Sequence, residues 1–444
     1  MYVNKIWVEN VRGFRGGDER VELDLQRPDG THAGWTVLAG RNGAGKSSLL
    51  RAIALAVAGP SAARSLQESF AGWIRSGEKS AYSGVELTRG KRDKFRDVGN
   101  IGPIPFWVDL ELQRQEHGPE PKLSPGEGTN ASQNAIRGPW ADNPGGWFLA
   151  GYGLSRRLSG HSADAARLMA NPGRLARLVS LFREDASLVE GVLWLRNVYL
   201  RRLENRPGAA ELETNVLALL NHGALLPNGV KIDHIDSEAL WTRLNDVILP
   251  LEDMSDGYRA AIALVLDLVM QLYVCFDGFE IKIDGGFLTV PYDGVVLIDE
   301  VDAHLHPAWQ KRIGFWLKEH FPNIQFIVTT HSPFICQAAD AKGIIRLPAP
   351  GTTEKAEHVS PEDFRLIVNG GADDAVLSTL FGLDHVHSDA SERLRIQVAD
   401  LEAKIVRGIA SADELAEFER LLAVLPDTGS AMVERVLRKH EALR

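Results

Sequence analysis

The run Gly40-Arg41-Asn42-Gly43-Ala44-Gly45-Lys46-Ser47 has the residue types and spacing of a phosphate cradle, G-x-x-x-x-G-K-[ST]. Glycines let successive backbone N–H groups close around phosphate oxygens, and the start of a following helix adds its positive dipole end. The chemistry implied is capture of a nucleoside triphosphate, ATP, together with Mg²⁺. Lys46 reaches the β- and γ-phosphates and the Ser47 hydroxyl ligates the metal. Gly40, Asn42, Gly43, Ala44, Gly45, Lys46, Ser47 and Ser48 are the candidate cofactor-binding residues of this segment. Far along the chain, Val295-Val296-Leu297-Ile298 ends in Asp299-Glu300. An apolar strand ending in two acids delivers Asp299 to hold Mg²⁺, directly or through water, and Glu300 to polarise an attacking water as general base. Taken alone, that run also fits a strand ending in solvated acids. Two further features join the set: Met254-Ser255-Asp256-Gly257-Tyr258-Arg259, a helix start that offers N–H groups and a hydroxyl to a phosphate, and Thr329-Thr330-His331-Ser332-Pro333. In isolation the first reads as an N-cap and the second as a loop histidine.

These groups need elements behind them. Residues 35–39 read as the strand entering the cradle, and 48–56 as the helix leaving it, ending near Gly59-Pro60. Residues 295–298 and 325–329 are apolar runs suited to buried parallel strands, the second delivering His331. A helix opens at Ser255 and runs toward Tyr273. Residues 2–11 and 20–25 alternate as an antiparallel pair, and 106–112 read as another strand. Residues 61–99 read as helical and then polar, with a basic cluster at Arg89, Lys91, Arg92, Lys94 and Arg96. Residues 115–146, rich in Gly, Pro, Ser and Asn, read as a long exposed loop. An apolar piece follows at 147–152, then helices over 162–222 and a strand-like piece at 229–233. Asp284-Gly285-Gly286 marks a hairpin between 279–283 and 287–290. Beyond 371 the chain reads as helical and acidic.

With 444 residues, 44% hydrophobic and 24% charged, the composition is that of a globular protein of about three domains, or of one enlarged domain with insertions. A net charge of −10 excludes a surface that is basic all over, so any nucleic-acid site is a local patch. The segment 151–206, with ten arginines against five acids, is one candidate. It serves equally as a solvated helix face or a dock for an acidic partner. Trp194 and Tyr199 within it read as core residues rather than base-stacking platforms. Two cysteines, Cys275 and Cys336, give neither a disulfide framework nor zinc spacing and suit a reducing cytoplasm. The first residues show no signal-peptide pattern, and 260–270 is too short for a membrane span and carries Asp267.

Together the motifs resemble an ABC-type ATPase of the RecF, SMC and OLD branch. More narrowly, the chain is similar to the ATPases of the anti-phage Septu system and its retron-linked relatives. The residues that carry the resemblance are Asn10-Val11-Arg12-Gly13-Phe14, Gly40 to Ser47, Gly151-Tyr152-Gly153 with Arg156-Arg157, Ser255 to Arg259, Leu297 to Asp302 with His304-Leu305-His306-Pro307, and Thr330 to Pro333. They span residues 1–345. The resemblance implies an α/β ABC-ATPase head: a P-loop NTPase with a mixed sheet, an antiparallel N-terminal part, an inserted helical subdomain and a helical C-terminal tail. The expected divisions are 1–150, 151–250 as the helical insertion, 251–345, and 346–444 as a mainly helical partner or oligomer contact. By the same resemblance Ser255 and Gly257 contact the γ-phosphate held by a second subunit, His331 senses that phosphate, and Asp302 couples two active sites. Lys46, Glu300 and His331 are then the catalytic set, with Ser47 and Asp299 on the metal.

Departures from the family pattern are Met254 where leucine is usual, Val301 where proline is frequent, and a glutamine role that neither Gln113 nor Gln115 fills. Arg12 reads either as a nucleotide or dimer contact or as a surface arginine, and His304 with His306 as structural rather than metal-binding. The implied function is a nucleotide-dependent switch. Two subunits, or a higher oligomer of such dimers, would sandwich ATP. The tail offers no nuclease chemistry: Asp373-Asp374 reads as capping, and His385-Val386-His387 lacks a nuclease framework. Cutting is therefore expected from a separate HNH- or Toprim-type nuclease, with nucleic acid contacted directly or through that partner and no membrane involved. The alternative is a RecF- or SMC-like repair ATPase binding DNA directly. A transporter subunit is disfavoured by the long insertion between Lys46 and Ser255.

Overall fold

A computed structural model describes residues 1–96, 105–126, 131–142, 144–156, 158, 163–170, 173–383 and 385–425. Arg157 and the last nineteen positions of the expected tail lie outside these. The chain opens with β1 (Tyr2–Glu9), β2 (Val21–Asp24) and β3 (Gly34–Ala39), then the long helix α1 (Lys46–Leu66). Next come β4 (Ser80–Thr88), β5 (Phe106–Gln113), β6 (Lys122–Pro125), α2 (Ala131–Arg137) and β7 (Leu149–Tyr152). Helices α3 (Ala163–Ala170), α4 (Val179–Phe182), α5 (Val189–Leu203) and α6 (Ala209–Asn221) lead to β8 (Lys231–Ile235), β9 (Leu240–Leu244) and β10 (Val247–Pro250). Helix α7 (Asp256–Phe276) and the hairpin β11 (Lys282–Asp284) and β12 (Phe287–Thr289) precede β13 (Gly294–Ile298), α8 (Pro307–His320), β14 (Ile324–Thr329) and α9 (Pro333–Cys336). Then follow β15 (Ile344–Arg346), β16 (Glu357–His358), α10 (Pro361–Asn369), α11 (Ala372–Leu377), α12 (Asp389–Val406) and α13 (Ala412–Val424).

The central sheet has the order β16-β15-β3-β14-β13-β7, parallel except for β16. Its strands are apolar on both faces because both are covered. Leu38, Val295, Leu297, Ile327 and Ile345 face α1 and the antiparallel sheet β2-β1-β4-β5-β6. Their neighbours Val37, Val296, Ile298, Phe326 and Val328 face the layer of α5, α6, α7 and α8. The two sheets are stitched by Gln325. Its buried side-chain amide accepts from Val3 N–H and donates to Val3 carbonyl oxygen, both at 2.8 Å, in place of a backbone ladder.

Helix α1 breaks at Gly59 (φ 83), where the sequence placed its end, but resumes to Leu66. Pro60 has no N–H to offer the carbonyl of Ala56, one turn back. Trp140 fills that role: Nε1 donates to Ala56 oxygen at 3.0 Å, and the indole lies so close that a Cβ at Gly59 would meet it at 2.8 Å.

Several expectations are corrected. Residues 61–99 contain the full strand β4, whose inward positions include the small Ala81 and Ser83 beside Val85 and Leu87 and so dilute the alternation. The stretch 115–146 contains β6 and α2. The segment 151–250 is not all helical: its last fifth is the antiparallel sheet β10-β9-β8. The apolar run at 260–270 belongs to a helix of 21 residues, long and apolar enough to cross a bilayer by length and composition, as is α1. Both are core helices, with 67% and 72% of those windows buried.

The chain divides into two compact units, Met1–Phe381 and Gly382–Arg444. In the second, α12 and α13 form a helical hairpin. Ser388 caps α12, and a Ser411–Glu414 capping box starts α13.

Candidate active site

The carboxyl ends of β3, β14 and β13 lie side by side, and each delivers functional groups to one place. The phosphate loop leaves β3 through Gly43 (φ 81) and Gly45 (φ 88), left-handed conformations that favour glycine. A Cβ at Gly45 would also lie 2.7 Å from the Phe14 ring. Lys46, buried in the first turn of α1, donates from Nζ to the carbonyl oxygens of Gly40 (2.9 Å) and Arg41 (3.3 Å). Burial lowers its pKa, while the nearby Glu300, Asp299 and Asp302 oppose that shift.

Ser47 Oγ donates to Asp299 Oδ1 at 3.0 Å, joining segments 252 residues apart. Thr329 Oγ1 donates to the same carboxylate oxygen at 2.6 Å. These oxygen donors fit a hard cation such as Mg²⁺, which Ser47 and Asp299 would hold. Glu300, directly beyond, is half-buried and left-handed (φ 44). Its backbone N–H donates to Thr329 Oγ1 at 2.7 Å, and Val301 N–H donates to Thr329 carbonyl oxygen at 3.0 Å. Thr329, known from the sequence only as the start of the histidine motif, thus orients both acids at once.

The next turn is tied to the histidine loop. Asp302 accepts from the Thr330 hydroxyl and from His331 N–H (3.4 Å). Ser332 Oγ donates to Gln310 Oε1 at 2.7 Å, and Gln310 Nε2 donates to Leu305 oxygen at 2.8 Å. The His331 imidazole is left exposed. His306 accepts from Ala308 N–H as the N-cap of α8.

Arg12 is half-buried, not a free surface group. It donates to Ser48 Oγ at 3.2 Å and lies over the Trp73 ring, 4.5 Å from its centroid. Burial, and Arg51 after it, lower its pKa. A cavity of about 320 Å³ opens beside it, lined by Arg12, Phe14, Gly43, Gly45, Pro350 and Thr352 among others.

Ser255 is the exposed N-cap of α7, and its hydroxyl accepts no hydrogen bond from that helix. Gly257 is packed so closely that a Cβ would lie 2.8 Å from Trp309 and 3.0 Å from His304 oxygen. Among the described residues no hydrogen bond links Ser255 or Gly257 to the Lys46–Asp299 cluster. Gln113 donates to Glu111 on its own strand, so the glutamine role stays unassigned.

The arginines of 151–206 are largely committed internally. Arg156 and Arg177 are buried, Arg183 pairs with Glu68, Arg202 with Glu213, and Arg174 bonds Pro139 oxygen. Trp194 packs on Tyr273 of α7, in the core layer. In the 89–96 cluster, Arg92 stacks on Tyr292 and bonds Pro291 oxygen.

A phosphate loop, an acid-tipped strand one strand removed from it, and a threonine on the strand between define an α/β P-loop head with an antiparallel N-terminal sheet. Comparison with known proteins agrees. Residues 172–337 match the family described as "AAA domain, putative AbiEii toxin, Type IV TA system", and residues 5–131 match one described as "AAA domain". The chain is similar to the Septu protein PtuA of Bacillus mycoides (strain KBAB4): 29% identical over 339 residues, 75% of this chain and 38% of that protein. It is likewise similar to the "Retron Ec83 probable ATPase" of Escherichia coli: 41% identical over 100 residues, 22% of this chain and 17% of that protein. The chain thus spans well under half the length of either relative. Among solved structures, the SMC head bound to the C-winged helix domain of ScpA superposes with a TM-score of 0.48 at 17% identity, covering 82% of this chain and 99% of that one.

Proposed function

We propose that this chain binds and hydrolyses ATP as a nucleotide-dependent switch, the sensor component of an anti-phage defence complex that controls a separate nuclease. The observation that carries the ATP reading is the meeting of Ser47 and Asp299 at 3.0 Å beside Lys46 and Glu300. Lys46 and the loop N–H groups hold the phosphates, and the carboxylate of Glu300 takes the proton of the attacking water. Ser47 and Asp299 would hold Mg²⁺, which when bound would neutralise charge on the phosphate oxygens. The uncapped Ser255 hydroxyl and the first amides of α7 serve a γ-phosphate presented by a second copy, which makes the working unit a dimer. The defence role is supported by the similarity to Septu and retron ATPases, and a nuclease of HNH or Toprim type is the partner that this similarity suggests. Free cysteines, one of them buried, fit a cytoplasmic location.

The test is a set of single substitutions. Lys46→Ala abolishes tight ATP binding. Glu300→Gln keeps ATP bound, lowers turnover by roughly 10²–10⁴-fold and traps the dimer. Hydrolysis by Glu300→Gln at the wild-type rate would refute the base. Affinity capture of tagged Glu300→Gln with ATP, read by mass spectrometry and a nucleic-acid assay, tests the partner. A co-purifying nuclease supports the defence reading, whereas nucleic acid alone moves the chain to direct DNA binding.

A further inference from the structure

Arg156 stands just past the end of β7, 4% exposed. Its Nη1 donates to Asp299 oxygen at 2.9 Å and to Gly153 oxygen at 3.0 Å. Its Nη2 donates to Glu300 oxygen at 2.8 Å, to Ala303 oxygen at 3.3 Å and to Val301 oxygen at 3.4 Å. Four of these carbonyls belong to one turn, residues 299–303, that carries the proposed base and Asp302.

That turn is held only in part by its own hydrogen bonds, Ala303 N–H to Glu300 oxygen at 2.9 Å and Leu305 N–H to Asp302 oxygen at 3.0 Å. Glu300 within it is held at φ 44, and His304 just after it at φ 64, both left-handed and neither a glycine. Such a conformation is unfavourable for a non-glycine residue and persists only where its surroundings over-determine it. The turn also points several carbonyl dipoles at one buried spot, which is unfavourable without donors there. A guanidinium, with five N–H groups in a rigid fork, is the side chain able to satisfy such a set, and it adds a positive charge beside three acids. Burial lowers the Arg156 pKa to about 10, opposed by Asp302, Asp299 and Glu300, so the group stays charged at neutral pH. The amide side of the same turn is gripped by Thr329.

We propose that Arg156 is a positioning residue for ATP hydrolysis: its buried guanidinium clamps the carbonyls of 299–303 and so fixes the left-handed turn that aims Glu300 and Asp302. This rests on the reading of Glu300 as general base. Arg156 itself lies beneath the turn, acting through the backbone.

The experiment compares Arg156→Gln and Arg156→Lys with wild type. The readouts are kcat and KM for ATP, equilibrium ATP binding, and amide hydrogen exchange measured without nucleotide. In Arg156→Gln, kcat falls roughly 10–100-fold while ATP affinity stays within about twofold, since the base is misplaced and the phosphate cradle is not. Exchange quickens in peptides spanning 299–303 and not in those spanning 40–50. Arg156→Lys, which keeps the charge but not the fork, lies between the two in both readouts. Wild-type kcat in either folded variant overturns the proposal, as does an equal loss of affinity and kcat with exchange at 299–303 unchanged. Should Arg156→Gln fail to fold, Arg156→Lys decides alone: reduced kcat with quickened exchange at 299–303 supports the clamp, and unchanged values reject it. A wild-type chain without ATPase activity would overturn the reading of the site and the catalytic half of the proposal, while the exchange data would still decide whether Arg156 holds the turn.

Discussion

Asp267 lies in the middle of α7, fully buried, and accepts a hydrogen bond from the Tyr152 hydroxyl at 2.9 Å. Burial lifts its pKa from 3.8 to about 6, although hydrogen bonds from Tyr152 and Gln271 pull the other way. The native state therefore binds this proton more tightly than the unfolded chain does. Its stabilising contribution is fully present below pH 3.8 and is lost as pH rises through 6. At about 1.4 kcal/mol per unit, the loss amounts to about 3 kcal/mol by neutral pH. Asp267→Asn keeps an acceptor for Tyr152 and cannot ionise. The stability difference between this variant and wild type should thus grow in favour of the variant by about 2 kcal/mol between pH 4 and pH 7, the rest of the loss falling below pH 4. Urea unfolding of both proteins across that range measures it, and taking the difference cancels the other titrating groups. A difference that stays flat with pH would refute the reasoning, because the carboxylate would then be as well solvated in the fold as outside it.

Two further perturbations address the assembly. Ser255→Arg, at an exposed helix start, should leave ATP affinity unchanged and prevent the ATP-dependent dimer that Glu300→Gln traps, as read by light scattering of the double variant. Deletion of the second compact unit, from Gly382 onward, should leave ATP turnover intact and abolish capture of the partner; retained capture would remove that unit from the partner contact.

The parts of the site that the sequence made legible are those where physics compresses function into short runs. The phosphate loop needs its glycines in fixed places, and β13 and β14 read as unbroken apolar runs because both their faces are buried. The start of α7 is visible for a similar reason, as a helix and not yet as part of the site: Ser255 and Gly257 precede a long apolar stretch. What stayed hidden depends on distant backbone. Arg156 bonds carbonyls more than 140 residues away, and no side-chain pattern marks a carbonyl as an acceptor. Thr329 reads as the end of a strand and the start of the histidine motif, since nothing local shows that the Asp299 carboxylate and the Glu300 amide, just past β13, will meet its hydroxyl. Strand β4 is obscured because small and polar residues share its inner face, whereas β9 and β10 are two short, largely apolar runs joined by a tight turn at Asn245, which takes a positive φ.

The central place of β14 has a mechanical consequence. It is laddered on both flanks, Gln325 to Thr329 against β3 and Ile324 to Val328 against β13, so it is stiff along its whole length. Compliance begins only at Thr330. A force applied at His331 therefore cannot travel by sliding the sheet; it is deflected sideways, through Thr330 into Asp302 and through Ser332 and Gln310 into the 305 turn. If His331 contacts a phosphate as the resemblance implies, its displacement would reach the start of α8 through these loop hydrogen bonds, over the fixed bench of the sheet.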